Sequence, residues 1–274
     1  MTPLIHLFVL GSGSKGNAAV VQGPAGSILI DGGISYRALR ARAQEVGAPL
    51  DDIRAVLLTH EHSDHTSGLT VFCNHFTGPL IATAGTVAGR SYLASLPFTL
   101  IDHDSSFDLC GMHIQAFPTS HDVNDPIGFR FVVPDENGEI ADALGWCTDT
   151  GYLTDGALDA LYGCRILGIE SNHDEEMLRH GPYPKILKDR VAGASGHLSN
   201  AQAAEVLPHL VTKDTECVVA LHLSEENNRP SVCIRTLAAA LKAEPADTTF
   251  TEARTPDGLL TIVPASQHEA MSVW

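Results

Sequence analysis

Residues 59–65 read Thr-His-Glu-His-Ser-Asp-His, which puts four metal-ligand side chains, His60, His62, Asp64 and His65, within six positions. Imidazole mixed with carboxylate suits zinc, or manganese or iron where carboxylate is more prominent. His60 and His62 are two apart, so an extended backbone turns both to the same side. Asp64 and His65 come where the chain is expected to turn into a helix, so they can face a neighbouring point. One segment can therefore supply two metal centres. The competing reading, a polar loop that happens to be rich in histidine, does not explain this spacing or the further candidate ligands downstream.

The elements that must hold these residues are visible as apolar runs. Ala55-Val56-Leu57-Leu58, just before the histidines, has the continuous apolar character of a buried parallel strand. Strands are predicted at 4–10, 18–21, 27–30, 55–58, 80–82, 112–117, 127–133, 144–148, 165–169 and 217–221. A helix is predicted from a Ser35 cap toward Glu45, with Gly47 ending it. Thr86–Ala94, Thr154–Leu161, Ser199–His209 and Ser231–Lys242 are further helical patterns. Pro134-Asp-Glu-Asn-Gly138 reads as a turn between strands. Taken alone, the pattern gives α/β or α+β. The candidate ligands fall at strand ends, where such folds place their sites.

Composition bounds the rest. The 274 residues are 44% hydrophobic, enough for a substantial core, in one large domain or two modest ones. The six cysteines are scattered and include no Cys-x-x-Cys pair, so they read as reduced thiols of a cytoplasmic protein. The N-terminal apolar run lacks a basic leader and a small-residue cleavage site, and reads as a first strand rather than a signal peptide. No stretch approaches the roughly 20 apolar residues of a membrane span. The net charge of −16, from 17 basic and 33 acidic residues, argues against non-specific coating of nucleic acid. It leaves a phosphodiester substrate open, because two divalent ions would add about four positive charges at the scissile phosphate. The one local basic run, Lys185-Ile-Leu-Lys188-Asp-Arg190, is either a solvated helix face or a substrate contact before His197.

His-x-His-x-Asp-His after an apolar strand resembles the signature of the metallo-β-lactamase superfamily. The resemblance extends in order through Gly11-Ser-Gly-Ser-Lys-Gly-Asn17, Ile28-Leu-Ile-Asp-Gly-Gly33, Thr119-Ser-His-Asp122, Cys147-Thr-Asp-Thr-Gly151 and Leu221-His-Leu-Ser224. It runs from about residue 5 to about residue 240. It implies an α+β fold, an αββα sandwich of two packed mixed sheets with outer helices. The hydrolase domain is expected over 1–243. Residues 244–274 are expected to form an extension packed on it, with an edge strand at Gly258–Val263 and a frayed end. The resemblance implies two divalent ions, zinc first and manganese open. His60, His62 and His121 would hold one ion, and Asp64, His65 and His222 the other, with Asp149 bridging. Two ions about 3.5–4 Å apart can clamp the attacking and leaving oxygens of a displacement. Asp31 would not be a ligand but would support the histidine loop by hydrogen bonds. Glu61 and Ser63 can simply face away.

Further motifs narrow the substrate. Ser195-Gly-His197-Leu-Ser-Asn resembles a segment of the transfer-RNA 3′-processing endonucleases of this superfamily, and Glu170 stands where those enzymes pair a glutamate with that histidine. A carboxylate holding an imidazole keeps it charged and aimed, and such a histidine can protonate a leaving alkoxide. Asp64, Glu170 and His197 are therefore the catalytic candidates. The fuller match, Glu170-Ser-Asn-His-Asp174, Gly196-His-Leu-Ser-Asn200 and Leu221-His-Leu-Ser-x-x-Asn-Asn228-x-Pro230, resembles the bacterial YycJ/WalJ family. Leu221 departs from that family's usual alanine there and leaves the ligand intact. The family is single-domain, lacks the nucleic-acid clamp of larger relatives, and is associated with 5′-to-3′ exonuclease action on DNA. The 72 residues from 150 to 221 leave no room for such a clamp. A nucleic-acid substrate, DNA before RNA, is the leading expectation. Hydrolysis of a small phosphodiester, thioester or lactone is the alternative, and a metal-binding protein without turnover is a third. Ser199, Asn200, Ser224, Asn227 and Asn228 follow His197 and His222 and are expected to bind a terminal phosphate.

Overall fold

Most of the predicted apolar runs become strands, and the polar segments at their ends carry the candidate ligands. The computed structural model describes residues 3–274, and the chain divides into two units. One comprises the chain up to Pro118, Val123–Ala143 and Ser266–Trp274. The other comprises Thr119–Asp122 and Leu144–Ala265.

In the first unit β1 (His6–Gly11), β2 (Ala18–Gly23), β3 (Gly26–Ile30), β4 (Ile53–Leu57), β5 (Leu80–Thr83) and β6 (Phe98–Ile101) lie side by side in chain order. The first three are antiparallel, and β3 to β6 run parallel. Met271–Val273, in the segment expected to fray, pairs antiparallel with β1. Helix α1 (Tyr36–Val46) has the predicted ends: Ser35 accepts from the Ala38 N–H, and Gly47 closes it in the left-handed region at φ 72°. Its Leu39 and Ala43 join Leu10, Val20, Leu29, Leu58 and Leu69 in the core. Three short helices follow, α2 (Ser63–Thr66), α3 (Leu69–Phe72) and α4 (Ala84–Ala88). The helix predicted over Thr86–Ala94 stops at Ala88, where Gly89 takes over and the chain turns. The antiparallel strands β7 (Ser106–Leu109), β8 (Met112–Pro118) and β9 (Ile127–Pro134) also belong here. Strands β6 and β7 escaped prediction because they are short and half exposed, with no continuous apolar run.

Strand β10 (Ile140–Cys147) runs from the first unit into the second. There it pairs parallel with β11 (Ile166–Glu170), and β11 with β12 (Cys217–Leu221). Between and after them come α5 (Asp155–Leu161), α6 (Glu175–His180), α7 (Lys185–Val191), α8 (Asn200–Leu210) and α9 (Pro230–Leu241). Helices α8 and α9 pack on each other. The hairpin β13 (Glu244–Pro245) and β14 (Ala253–Arg254) adds to β15 (Thr261–Pro264). Because β15 lies between β12 and β14, the strand expected at the edge is an inner one. All six cysteines are free, and all but Cys73 are buried. Among the described residues no helix is long and apolar enough to cross a membrane.

Candidate active site

In the first unit the loop after β4 carries the histidine motif. His60 and His65 are buried, with ring centroids 4.0 Å apart, and His62 lies 5.0 Å from His60. His62 starts α2, so Asp64 and His65 fall on one helical turn, with Asp64 Oδ2 3.7 Å from His65 Nε2. Asp31, at the end of β3, occupies the left-handed region at φ 58°. Its buried carboxylate accepts from the Thr59 N–H at 2.8 Å and lies 2.7 Å from His65 Nδ1. With Nδ1 engaged there, Nε2 is the His65 nitrogen turned toward Asp64, where it also meets the Asn17 amide. Gly33 explains the second motif: a Cβ there would lie 1.6 Å from the Asp64 carbonyl oxygen, so only glycine lets the two segments touch.

Asn17 is a participant whose role the sequence did not reveal. Its N–H donates to the Asp64 carbonyl at 2.7 Å, and its amide nitrogen lies 2.9 Å from His65 Nε2 and 3.3 Å from Asp64 Oδ2. The only signal was its place at the end of the glycine loop. Glu61 is buried and accepts from the Asn124 N–H at 2.9 Å, so it braces a neighbouring loop.

In the second unit the carboxyl ends of β10, β11 and β12 converge. Glu170 ends β11 in register with Leu221 of β12, which brings His222 beside it. Asp149 Oδ1 lies 3.2 Å from His222 Nδ1 and 3.8 Å from His121 Nε2. Donor atoms of Asp149, Glu170, His197 and His222 all lie within 4.8 Å of one another. Asp149 at φ 50° and His222 at φ 53° both sit in the left-handed region, a strained arrangement typical of functional sites. Thr148 donates to Asp149 Oδ2 at 2.6 Å and steers it, a role the sequence did not announce. His121 Nδ1 donates to the Gly196 carbonyl at 2.9 Å, which leaves Nε2 as the acceptor. Burial, its largest influence, pushes the His121 pKa down, toward the neutral ring a metal requires.

Glu170 is fully buried. Its Oε1 lies 2.7 Å from His197 Nδ1 and 3.1 Å from His222 Nδ1, while Oε2 accepts the Thr150 N–H at 2.8 Å and the Leu198 N–H at 3.2 Å. Burial alone would raise its pKa. The charge and hydrogen bond of His197, with the hydrogen bond from His222, outweigh that and hold the carboxyl below its ordinary range.

The polar residues expected to bind phosphate are engaged within the protein. Asn228 donates to the carbonyls of Ser171 and Asn172 and to Asn200 Oδ1, at 2.9 to 3.0 Å, and accepts from Asn200 Nδ2 at 3.0 Å. Ser199 caps α8 in a capping box with Gln202 and donates to Glu175 at 3.0 Å. Ser224 accepts from the Asn227 N–H at 3.1 Å. Arg190 of the basic run pairs with Asp122, next to His121.

The donor chemistry in each unit, buried imidazoles with carboxylates beside them and their second nitrogens or oxygens held by hydrogen bonds, fits divalent metal ions. A family model described as a β-lactamase superfamily domain matches residues 27–223. The chain is 31% identical over 245 residues to exodeoxyribonuclease YycJ of Bacillus anthracis, spanning 87% of this chain and 89% of that protein. It is equally identical over 226 residues to exodeoxyribonuclease WalJ of Streptococcus pneumoniae serotype 2, spanning 80% and 82%. Among solved structures, the metallo-β-lactamase fold protein YhfI from Bacillus subtilis matches at a TM-score of 0.67 with 14% identity, over 98% of this chain and 99% of that one. That likeness extends the expected α+β fold class to the whole length of the molecule.

Proposed function

The chain belongs to the metallo-β-lactamase superfamily, in the family of the YycJ and WalJ exodeoxyribonucleases, and from that premise we propose that this metal-dependent hydrolase cleaves phosphodiesters at DNA ends. The observation that carries the reading is the Glu170–His197 pair, a buried carboxylate 2.7 Å from an imidazole that is itself partly exposed. Hydrolysis of a β-lactam or thioester does not require a proton donor aimed at an alkoxide, whereas diester cleavage does. The relatives' names favour DNA over RNA.

His60, His62 and His121 would hold one ion and Asp64, His65 and His222 a second, and Asp149 would serve both. When bound, zinc or manganese would polarise water and the phosphoryl oxygens. The chain's own residues supply the rest. Asp31 and Asn17 hold His65 and Asp64 in place. Glu170 fixes the His197 ring through Nδ1, leaving Nε2 to hand its proton to the leaving oxygen. In the net reaction a water oxygen joins phosphorus, the P–O3′ bond breaks, and the 3′ oxygen leaves protonated. Ser224 and Asn227 remain candidates to steer the terminal phosphate.

End-labelled DNA and RNA, a cyclic dinucleotide and a thioester, offered side by side with added zinc or manganese, test the reading. Mononucleotide release from linear DNA is expected. Turnover of the thioester alone would replace the proposal with the small-molecule alternative.

A further inference from the structure

The second unit contains a cavity that the metal-ligand chemistry does not use. It is about 510 Å³ and lies among α6, α7 and the start of α8, lined by His173, Leu178, Arg179, Lys188, Ala192 and Gln202, among others. That volume falls in the range of small-molecule sites. We propose that this cavity is a nucleotide subsite, holding the phosphodiester unit next to the one being cut. The proposal rests on the nuclease reading above and names where that substrate lies.

Charge is the first support. The chain carries 17 basic and 33 acidic residues, yet Arg179, Lys185 and Lys188 all line this one cavity. Asp189 pairs with Lys185 at 2.6 Å, Arg179 pairs with Glu176, and Glu175 accepts from Ser199 at 3.0 Å, so Lys188 is the lining cation without a carboxylate partner among the described residues. Lys188 donates once, to the Arg179 carbonyl at 2.8 Å, and an ammonium group has two further protons to offer. A phosphate needs such donors, and Leu178 and Ala192 offer apolar wall to a sugar or base.

His173 is the second support. It is 2% exposed and lines the cavity, and its buried Nδ1 has no hydrogen-bond partner among the described residues. A buried polar nitrogen without a partner is costly unless a ligand or water completes it. Its main chain is bridged to Ser199, and its carbonyl accepts the Asn200 N–H at 2.8 Å. Ser199 is two residues from His197, at most about 7 Å along the chain. The cavity therefore shares its wall with the segment that carries the proton donor. A strand whose scissile phosphate faces His197 meets Lys188 and His173 with its next unit.

The test measures binding with the metals chelated, so that nothing is cut. A fluorescent trinucleotide of thymidine is titrated at several salt concentrations against the wild type, K185E/K188E and a control double reversal on α1, R37E/R40E. The Lys variant should bind at least tenfold more weakly. The slope of log affinity against log salt should become shallower by about 0.7 for each phosphate that the variant no longer neutralises. The α1 control should match the wild type. Equal losses in both double variants, or no loss in either, would overturn the subsite. Cleavage of end-labelled DNA by the wild type is scored separately. Its absence would sink the nuclease reading, whereas an unchanged trinucleotide affinity in the Lys variant would sink the subsite alone.

Discussion

Glu170 faces two imidazoles and two backbone N–H groups with one buried carboxylate, so changing it disturbs several bonds at once. His197 offers the cleaner probe. His197→Ala should slow cleavage of an ordinary diester by about 10²–10⁴-fold, while a p-nitrophenyl diester, whose leaving group needs no proton, should lose far less. Equal losses on both substrates would make His197 structural. Asp64→Ala should abolish turnover of both substrates and leave the protein folded, because the residue is half-buried on the single turn of α2 and is not part of the apolar core; near-normal rates in that variant, stripped of metal, would refute the assignment. The buried histidines also set a pH dependence. Burial brings His173 from 6.5 down to about 4 and lowers His121 as well. Below 6.5 the unfolded chain therefore binds protons that the folded one refuses, so stability falls as pH drops from about 6.5 toward about 4. The depressed Glu170 adds a further loss below its unfolded value of 4.5. Urea midpoints of metal-free protein across that window should decline steadily, and a flat profile would contradict the burial argument. Residues with fixed spacing, such as His60 to His65, were legible in the sequence. Asn17 and Thr148 were not, since a neighbouring amide or hydroxyl acts through contact and leaves no period.

At the level of elements, the second unit is tied together where its loops meet rather than by its helices alone. The Asn172 amide reaches the His222 carbonyl at 2.9 Å, and the Asn200 and Asn228 amides join the loops after β11 and β12 to the start of α8. Removing one amide leaves buried carbonyls without donors, at about 1–3 kcal/mol. Asn228→Ala should therefore lower Tm by several degrees, and N200A/N228A should lose less than the sum of the single variants, because the two amides serve each other. Additive losses measured by calorimetry would show that the two act independently. Sequence reading located the central strands and both ends of α1, where apolar runs and the Ser35 and Gly47 signals agree. It did not find α6, whose Asp174 cap hides inside the Glu170–Asp174 motif, nor the short exposed strands. It also read Asn200 and Asn228 as ligand contacts, since an amide that clasps a loop and one that clasps a phosphate look alike in one dimension.

For the molecule as a whole, each unit carries its own cluster of buried imidazoles and carboxylates. Each half folds its own donors into place through local hydrogen bonds, so the apoprotein should keep its structure. Exhaustive chelation should therefore abolish hydrolysis while the far-ultraviolet dichroism stays unchanged, and zinc or manganese should restore turnover; full activity in verified metal-free protein would rule out metal dependence. The free cysteines bear on how such stability could be followed. Burial raises the pKa of Cys110 to about 11 and of Cys217 and Cys233 to about 12, and pushes Cys147 up as well. In the native state these thiols are neither accessible nor ionised enough to react, and only Cys73 is partly exposed. Alkylating reagents should modify Cys73 first. Cys110 then becomes a clock for transient opening of the first unit, and Cys147, Cys164, Cys217 and Cys233 for the second, so that timed alkylation read by mass spectrometry would rank the breathing of each half without any introduced label.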